Sequence, residues 1–415
     1  MARLCPVFAF LASIACSAEP PSSGSPVAPG SGGTAGGSGG SDGTGGNPAG
    51  GSAGSGGTTG GSAGAGGSDG SAGTGAVPNH PPPRSPTASL VYVDGRRLML
   101  GKRRPDGSIE PPEPFKLKGV CWSPTGIGET NEDGYAPLYT RYGRTDAALM
   151  SSLHANAVKT YGAFEINGNG EALLDNLYSR GVMVIMSVVT WHGGAEGKSY
   201  LAAVNRFKDH PAILMWMVGN EFNYNLLYGA GSYAEAVRIV NSAIDDIHAA
   251  DPDHPVAVSF GEVPTSSQYA SVPNADVWSI NLYPSLNFGQ RFSNWLNLSQ
   301  KPMLVGEYGA DAYDSGARRE DQAAQAHAVA ELTRQIAAQY SADDPSRSVL
   351  GGTPFTLSDE WWKADGEADV HDTGGFQNAV HPDNFANEEW WGLTAIDRTP
   401  RAAFGRLSEI YGATQ

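Results

Sequence analysis

The chain has 415 residues, 43 acidic against 27 basic, for a formal net charge of −16 at pH 7. That balance argues against nucleic acid, and against an anionic membrane surface, as a partner. Cys5 and Cys16 fall in the leader and Cys121 stands by itself in the folded part, so no internal disulfide is expected there.

The first 18 residues read as a secretory signal. Met1-Ala-Arg3 supplies a basic start, and 4–15 is an apolar stretch too short to span a bilayer as a stable helix. Residues 11–16, Leu-Ala-Ser-Ile-Ala-Cys, resemble a bacterial lipoprotein cleavage site, with Ser13 where Leu is usual. Two outcomes stay open: lipidation of Cys16, which would be the chain's membrane tether, or ordinary cleavage near Ala18. From 19 to 86 the chain is Gly, Ser, Ala, Thr and Pro with almost no large apolar residue. Such a segment buries too little surface to offset its ordering entropy and reads as a disordered linker, with a root-mean-square span of roughly 40–50 Å. Its glycines are not a dinucleotide fingerprint, since no strand precedes them and no helix follows. Leader and linker together suggest a bacterial protein that is secreted or held at the cell surface.

Residues 87–415 carry the aromatics and the regular apolar runs of a globular domain. After a hairpin at the entrance, 90–95, short β-branched-rich runs recur and alternate with helical patterns. The runs are 117–121, 156–161, 182–189, 212–218, 255–259, 277–282, 302–306 and 352–357. Amphipathic stretches lie between and after them, such as 233–248, where Val237, Ile239, Val240, Ile244 and Ile247 follow helical spacing, then 321–340 and 401–411. Eight strands alternating with helices imply an α/β fold, a closed (β/α)8 TIM barrel with its site at the carboxyl ends of the strands. An open doubly wound sheet would need a phosphate-binding glycine turn after its first strand, and none is visible.

Two of the runs end in a carboxylate. Glu221 closes the fourth behind Gly219-Asn220, and Glu307 closes the seventh ahead of Tyr308-Gly309. An ionised acid at the end of a buried strand is costly unless used or paired. Two such acids facing each other across a barrel mouth point to glycosidic bond cleavage. Retention of configuration needs one carboxylate to attack the anomeric carbon and a second to protonate the leaving oxygen, with about 5–5.5 Å between them.

At these residues the chain resembles the retaining glycosidase clan built on this barrel. Gly219-Asn220-Glu221 and Gly306-Glu307-Tyr308-Gly309 carry the likeness, which covers essentially the whole folded domain. The catalytic barrel of glycoside hydrolase family 2 is resembled in 156–161 and in the closing Trp391-Gly-Leu and Asp397-Arg-Thr-Pro-Arg401. The β-1,3-glucanosyltransferases of family 72 are resembled in 302–309 and in Ile280-Asn-Leu-Tyr283. The resemblance implies Glu221 as general acid/base, Glu307 as nucleophile, Asn220 as the contact to the sugar 2-hydroxyl, and Tyr283 as a donor to Glu307. An ionised Glu307 would raise the pKa of a neighbouring Glu221. The clan has an arginine on strand two near the nucleophile. Here Lys159 takes that place, a point charge without the bidentate fork.

Aromatic faces suit the apolar face of a pyranose. Trp361-Trp362 follows strand eight and Trp390-Trp391 lies in the same long connection. Neighbours in an extended segment point opposite ways, so at most one of each pair faces sugar. Trp361 is the expected platform, Trp122 and Trp191 weaker ones, and Asp359 and Glu360 either touch sugar hydroxyls or cap the loop. His192 reads as a sugar-binding group beyond strand three, and His154 and His248 as structural. His192, His371 and His381 lack metal-ligand spacing, and the chemistry requires no metal or organic cofactor. The expected partner is a β-linked oligo- or polysaccharide of glucan type, hydrolysed or transferred to another sugar. The alternatives are a non-catalytic carbohydrate-binding protein on a degenerate barrel and a surface scaffold.

Overall fold

The computed structural model describes residues 81–414 apart from Asp365. The leader, the Cys16 lipidation site and the linker up to residue 80 lie outside the described residues. Ser85 already belongs to the packed domain. Its backbone N–H donates to Asp253 at 3.0 Å and its carbonyl accepts from Arg103 at 3.4 Å.

Eight parallel strands close on themselves: β1 (Leu117–Trp122), β2 (Ala157–Thr160), β3 (Met183–Val189), β4 (Ile213–Val218), β5 (Val256–Gly261), β6 (Val277–Asn281), β7 (Met303–Tyr308) and β8 (Val349–Pro354). Each hydrogen-bonds its sequence neighbours and β8 pairs with β1. Strands covered by helices outside and by one another inside are buried on both faces, so they read as unbroken apolar runs. Leu117, Ala157, Met183, Ile185, Met217, Val277 and Leu304 pack in the lumen. Val120, Val158, Val184, Trp216, Val258, Trp278 and Val305 face the helices. The helices form where the amphipathic pattern placed them. Tyr233–Ala250 starts at Ser232, whose hydroxyl accepts from Glu235 N–H at 3.2 Å. Gln322–Ala337 starts at Asp321, and the last helix is Ala402–Ala413.

The entrance hairpin, Leu90–Asp94 with Arg97–Gly101, sends Val91, Leu98 and Leu100 into the lumen cluster and floors the barrel at its amino end. The polar lumen residues therefore gather at the opposite end. Period-two alternation carries Ala157 to Lys159, Ile185 to Ser187, Ala257 to Ser259 and Val277 to Ser279 and Asn281. All five are buried. The barrel is a packed core closed below and polar above.

Strand eight begins at Val349, three residues before the expected start. Gly351 and Gly352 weaken the strand pattern there, and the register between β7 and β8 skips one residue at Leu350. Gly351 sits at φ +150°, and a Cβ at that position would lie 1.9 Å from the Leu117 carbonyl oxygen. The β8–β1 seam closes only because position 351 has no side chain. Gly351→Ala should lower the unfolding free energy by about 1–3 kcal/mol in urea titration. A wild-type midpoint would contradict this account of the seam.

Candidate active site

Glu307 reaches the mouth through an irregular strand. Gly306 points into the lumen, where a Cβ would lie 2.1 Å from Ser279 Oγ. Strict alternation would then turn residue 307 outward. Instead the register with β6 shifts between Val305 and Glu307, and that with β8 between Val305 and Tyr308. Glu307 is thereby aimed at the mouth and Tyr308 outward, its hydroxyl 2.8 Å from Thr333.

Three groups, Lys159 on β2, Tyr161 just past it and Tyr283 just past β6, hold the Glu307 carboxylate. Lys159 Nζ donates to Oε1 at 2.8 Å and Tyr161 OH donates to the same oxygen at 2.7 Å. Tyr283 OH donates to Oε2 at 2.8 Å. Lys159 is 1% exposed, and its ammonium also reaches the Gly306 carbonyl at 3.2 Å. Burial by itself would raise this carboxyl. The adjacent ammonium, backed by the three hydrogen bonds, overrides it and holds Glu307 below the ordinary glutamate value.

Glu221 is treated the opposite way. It follows Gly219 (φ +79°) and itself adopts the left-handed region, φ 50° and ψ 37°. That conformation costs a non-glycine residue of order 1–3 kcal/mol. The turn after it holds it there. Glu221 O accepts from Tyr224 N–H at 2.8 Å and Asn225 N–H at 3.1 Å, and Asn225 Nδ2 donates to Asn220 O at 2.6 Å. Among the described residues its carboxyl accepts one hydrogen bond, from Asn281 Nδ2 at 3.1 Å. Burial first, and the Glu307 charge second, push its pKa up to about 7. One carboxyl of the pair is thus kept ionised and the other kept protonated.

The structure brings Glu221, Glu307, Lys159 and Tyr283 into one constellation and sets Asn220 beside it, its side-chain oxygen accepting from Ser259 Oγ at 3.4 Å. Tyr161 and Asn281 complete it and were not singled out in the sequence. Each lies two positions from a residue that was, Lys159 and Tyr283, so strand parity was the available signal. Trp122 is a correction. It is fully buried on the helix-facing side, its ring 4.6 Å from that of Tyr139 and its indole N–H on Asp146 at 2.8 Å. Position 122 has the outward parity of Val120, so it faces no sugar.

The loop after β8 is more tightly built than a row of free platforms. Trp361 stacks on His371 at 4.7 Å, and Trp390 covers the other face of that imidazole at 3.5 Å. Trp391 is the member of its pair that turns inward, edge-on to Tyr283 at 5.1 Å. Asp359 is fixed by a two-pronged ion pair with Arg401, at 2.6 and 2.7 Å. Glu360 pairs with Lys363 at 2.9 Å and accepts from Tyr135 OH at 3.3 Å. His192 lies against Gly229 and 3.9 Å from Glu196 of its own turn, not against either glutamate. Among the described residues no group of three His, Cys, Asp or Glu is arranged to hold a metal ion.

Residues 198–415 match the family model described as glycosyl hydrolases family 2, TIM barrel domain. Among curated proteins the chain is similar to the β-glucuronidase of Felis catus, 28% identical over 208 residues, covering 39% of this chain and 30% of that protein. It is also similar to the β-glucuronidase of Rattus norvegicus, 34% identical over 121 residues, 26% of this chain and 17% of that one. The chain therefore spans less than a third of these relatives. Among solved structures, a family 2 β-galacturonidase from Eisenbergiella tayi bound to galacturonate superposes with a TM-score of 0.54 at 15% identity, over 79% of this chain and 55% of that one. A Faecalibacterium prausnitzii β-glucuronidase gives 0.51 at 20% identity, over 79% and 52%. At those identities the structural likeness is one of fold.

The site makes one electrostatic prediction that needs no substrate. Lys159→Met removes the charge that overrides burial, so Glu307 should titrate above the ordinary glutamate value. A 13C-detected carboxyl titration of the variant reads this directly. An unchanged, low Glu307 value would remove Lys159 from the account.

Proposed function

The chain belongs to glycosyl hydrolase family 2, and on that premise we propose that it is a retaining β-glycosidase with Glu307 as nucleophile and Glu221 as acid/base. The observation that carries the reading is the opposite treatment of the two carboxyls. An ionised Glu307 attacks the anomeric carbon, while protonated Glu221 gives its proton to the departing glycosidic oxygen as that bond breaks. Glu221, now a carboxylate, takes a proton from an incoming water, whose oxygen displaces Glu307 and releases the sugar. Tyr161, Tyr283 and Lys159 fix the attacking carboxylate's orientation and charge. Asn281 orients Glu221, and Asn220 is the partner for the sugar 2-hydroxyl. A sugar hydroxyl in place of water makes the same residues a transglycosylase.

The charge of the mouth favours an uncharged pyranose, consistent with a glucan-type substrate. Both lysines there are already committed, Lys159 to Glu307 and Lys363 to Glu360. Glu388 adds a further carboxyl, held above the ordinary glutamate value by burial first and by the Glu360 and Glu307 charges, against the pull of Lys363. A uronate would enter with no uncommitted lysine among these groups and beside carboxyls whose ionisation its charge would further oppose. The second reading, a uronide, is favoured by the names of the relatives. The leader and linker sequence supports export, as a secreted enzyme or one tethered through Cys16.

Three measurements test this reading. Glu221→Ala should lower kcat about 10²–10⁴-fold on a glycoside with a poor leaving group, with partial rescue by azide on an activated aryl glycoside. Absence of any effect would remove the acid/base role. The pH profile of kcat/KM should fall on the alkaline side near pH 7 as Glu221 loses its proton, and on the acid side below the ordinary glutamate range as Glu307 gains one. A profile flat through pH 7 would contradict the assignment. On p-nitrophenyl β-D-glucoside, glucuronide and galacturonide, the glucoside should be cleaved at least about tenfold faster. The reverse order would carry the uronide reading instead.

A further inference from the structure

Among the described residues the exposed large apolar side chains are Ile127, Ile166, Trp191, Tyr224 and Val370. All five sit on the loops that follow β1, β2, β3, β4 and β8. Those strands are consecutive around the barrel, in the order β8, β1, β2, β3, β4. The apolar exposure is thus confined to one arc of the rim at the end that holds the glutamates, and it ends at Glu221.

Two of the five are rings packed against glycines. The Trp191 indole covers Gly193 and Gly194, where a Cβ at 193 would lie 2.1 Å from the ring. Tyr224 covers Gly261 at the end of β5, where a Cβ would lie 2.2 Å away. Each ring is backed by glycine and about half exposed, 52% for Trp191 and 49% for Tyr224. Their loops are packed together, with His192 against Gly229. Tyr224 is three residues from Glu221 and Trp191 leaves the strand next to it. Braced rings with an open side offer a rigid apolar surface of the kind that the C–H face of a pyranose covers.

We propose that Trp191 and Tyr224 form a binding subsite for the leaving-group side of an extended β-linked saccharide, so that the enzyme acts on chains in preference to single-sugar conjugates. The inference rests on the glycosidase reading, which sets the leaving group beside Glu221. The sugar attacked by Glu307 occupies the mouth, and the chain beyond the cleaved bond runs outward over these two rings. The contact is to sugar units remote from the reacting bond, so it raises efficiency with chain length.

The test compares wild type, Trp191→Ala, Tyr224→Ala and the conservative Trp191→Phe. The probes are p-nitrophenyl β-D-glucoside and β-1,3- and β-1,4-linked glucose oligosaccharides from two to six units. In wild type kcat/KM should rise with chain length. Each alanine variant should lower the ratio of hexasaccharide to aryl glycoside efficiency by roughly three- to tenfold, mainly through KM, and Trp191→Phe should recover part of it. Length dependence equal to wild type in both alanine variants, or absent from wild type, overturns the subsite while leaving the glycosidase reading in place. Wild type that cleaves neither an aryl glycoside of any sugar nor any of the oligosaccharides overturns both.

Discussion

A carboxylate buried at the mouth of a closed barrel stays ionised only if opposite charge and hydrogen-bond donors meet it there. Lys159 and Glu307 form that pair, 1% and 7% exposed at their side chains and 2.8 Å apart. Removing either partner would leave the other buried and uncompensated, a change of the kind that costs about 3–5 kcal/mol. The pair is therefore a structural commitment as well as a chemical one. Strand β2 must present a cation to the lumen, β7 must break its alternation to present the acid, and β6 must bring Tyr283 to the second oxygen. Glu221 has no ion pair among the described residues and feels Glu307 as a like charge, so burial first and that charge second push it the opposite way.

The surrounding fold supplies what that arrangement needs. The entrance hairpin and the apolar lumen seal the lower end, so polar groups collect only above. Gly306 makes room for Ser279 and lets Glu307 follow it into the mouth. The left-handed backbone at Glu221 is held by hydrogen bonds to the turn 222–225, so local strain is offset by the loop that also carries Tyr224. The same stretch of chain thus orients the acid and forms part of the rim around it.

Much of the fold was legible in the sequence for a simple reason. Parallel strands covered on both faces are continuous apolar runs, and seven of them stand within a residue or two of where the runs lie. The eighth shifted because Gly351 and Gly352 dilute the pattern, and the need for Gly351 is set by the approach of Leu117, far away in sequence. Glu221, Glu307 and Lys159 stood out because charge at the end of an apolar run is conspicuous. Tyr161 and Asn281 did not, since a tyrosine or asparagine at a strand end is unremarkable until parity places it beside a glutamate. Trp122 was misread by ignoring that parity. The contacts that organise the last loop, Asp359 with Arg401 and His371 between Trp361 and Trp390, join residues with no periodic relation. No pattern in the sequence announces them.

The most direct test of the central claim is chemical trapping. The protein would be incubated with a 2-deoxy-2-fluoro-β-D-glycosyl fluoride of the preferred sugar, weighed intact by mass spectrometry, and mapped by peptide. The account predicts one added glycosyl group, carried on Glu307 and lost in Glu307→Gln. An adduct on another residue, or inverted product from a chain that never acquires one, would contradict it.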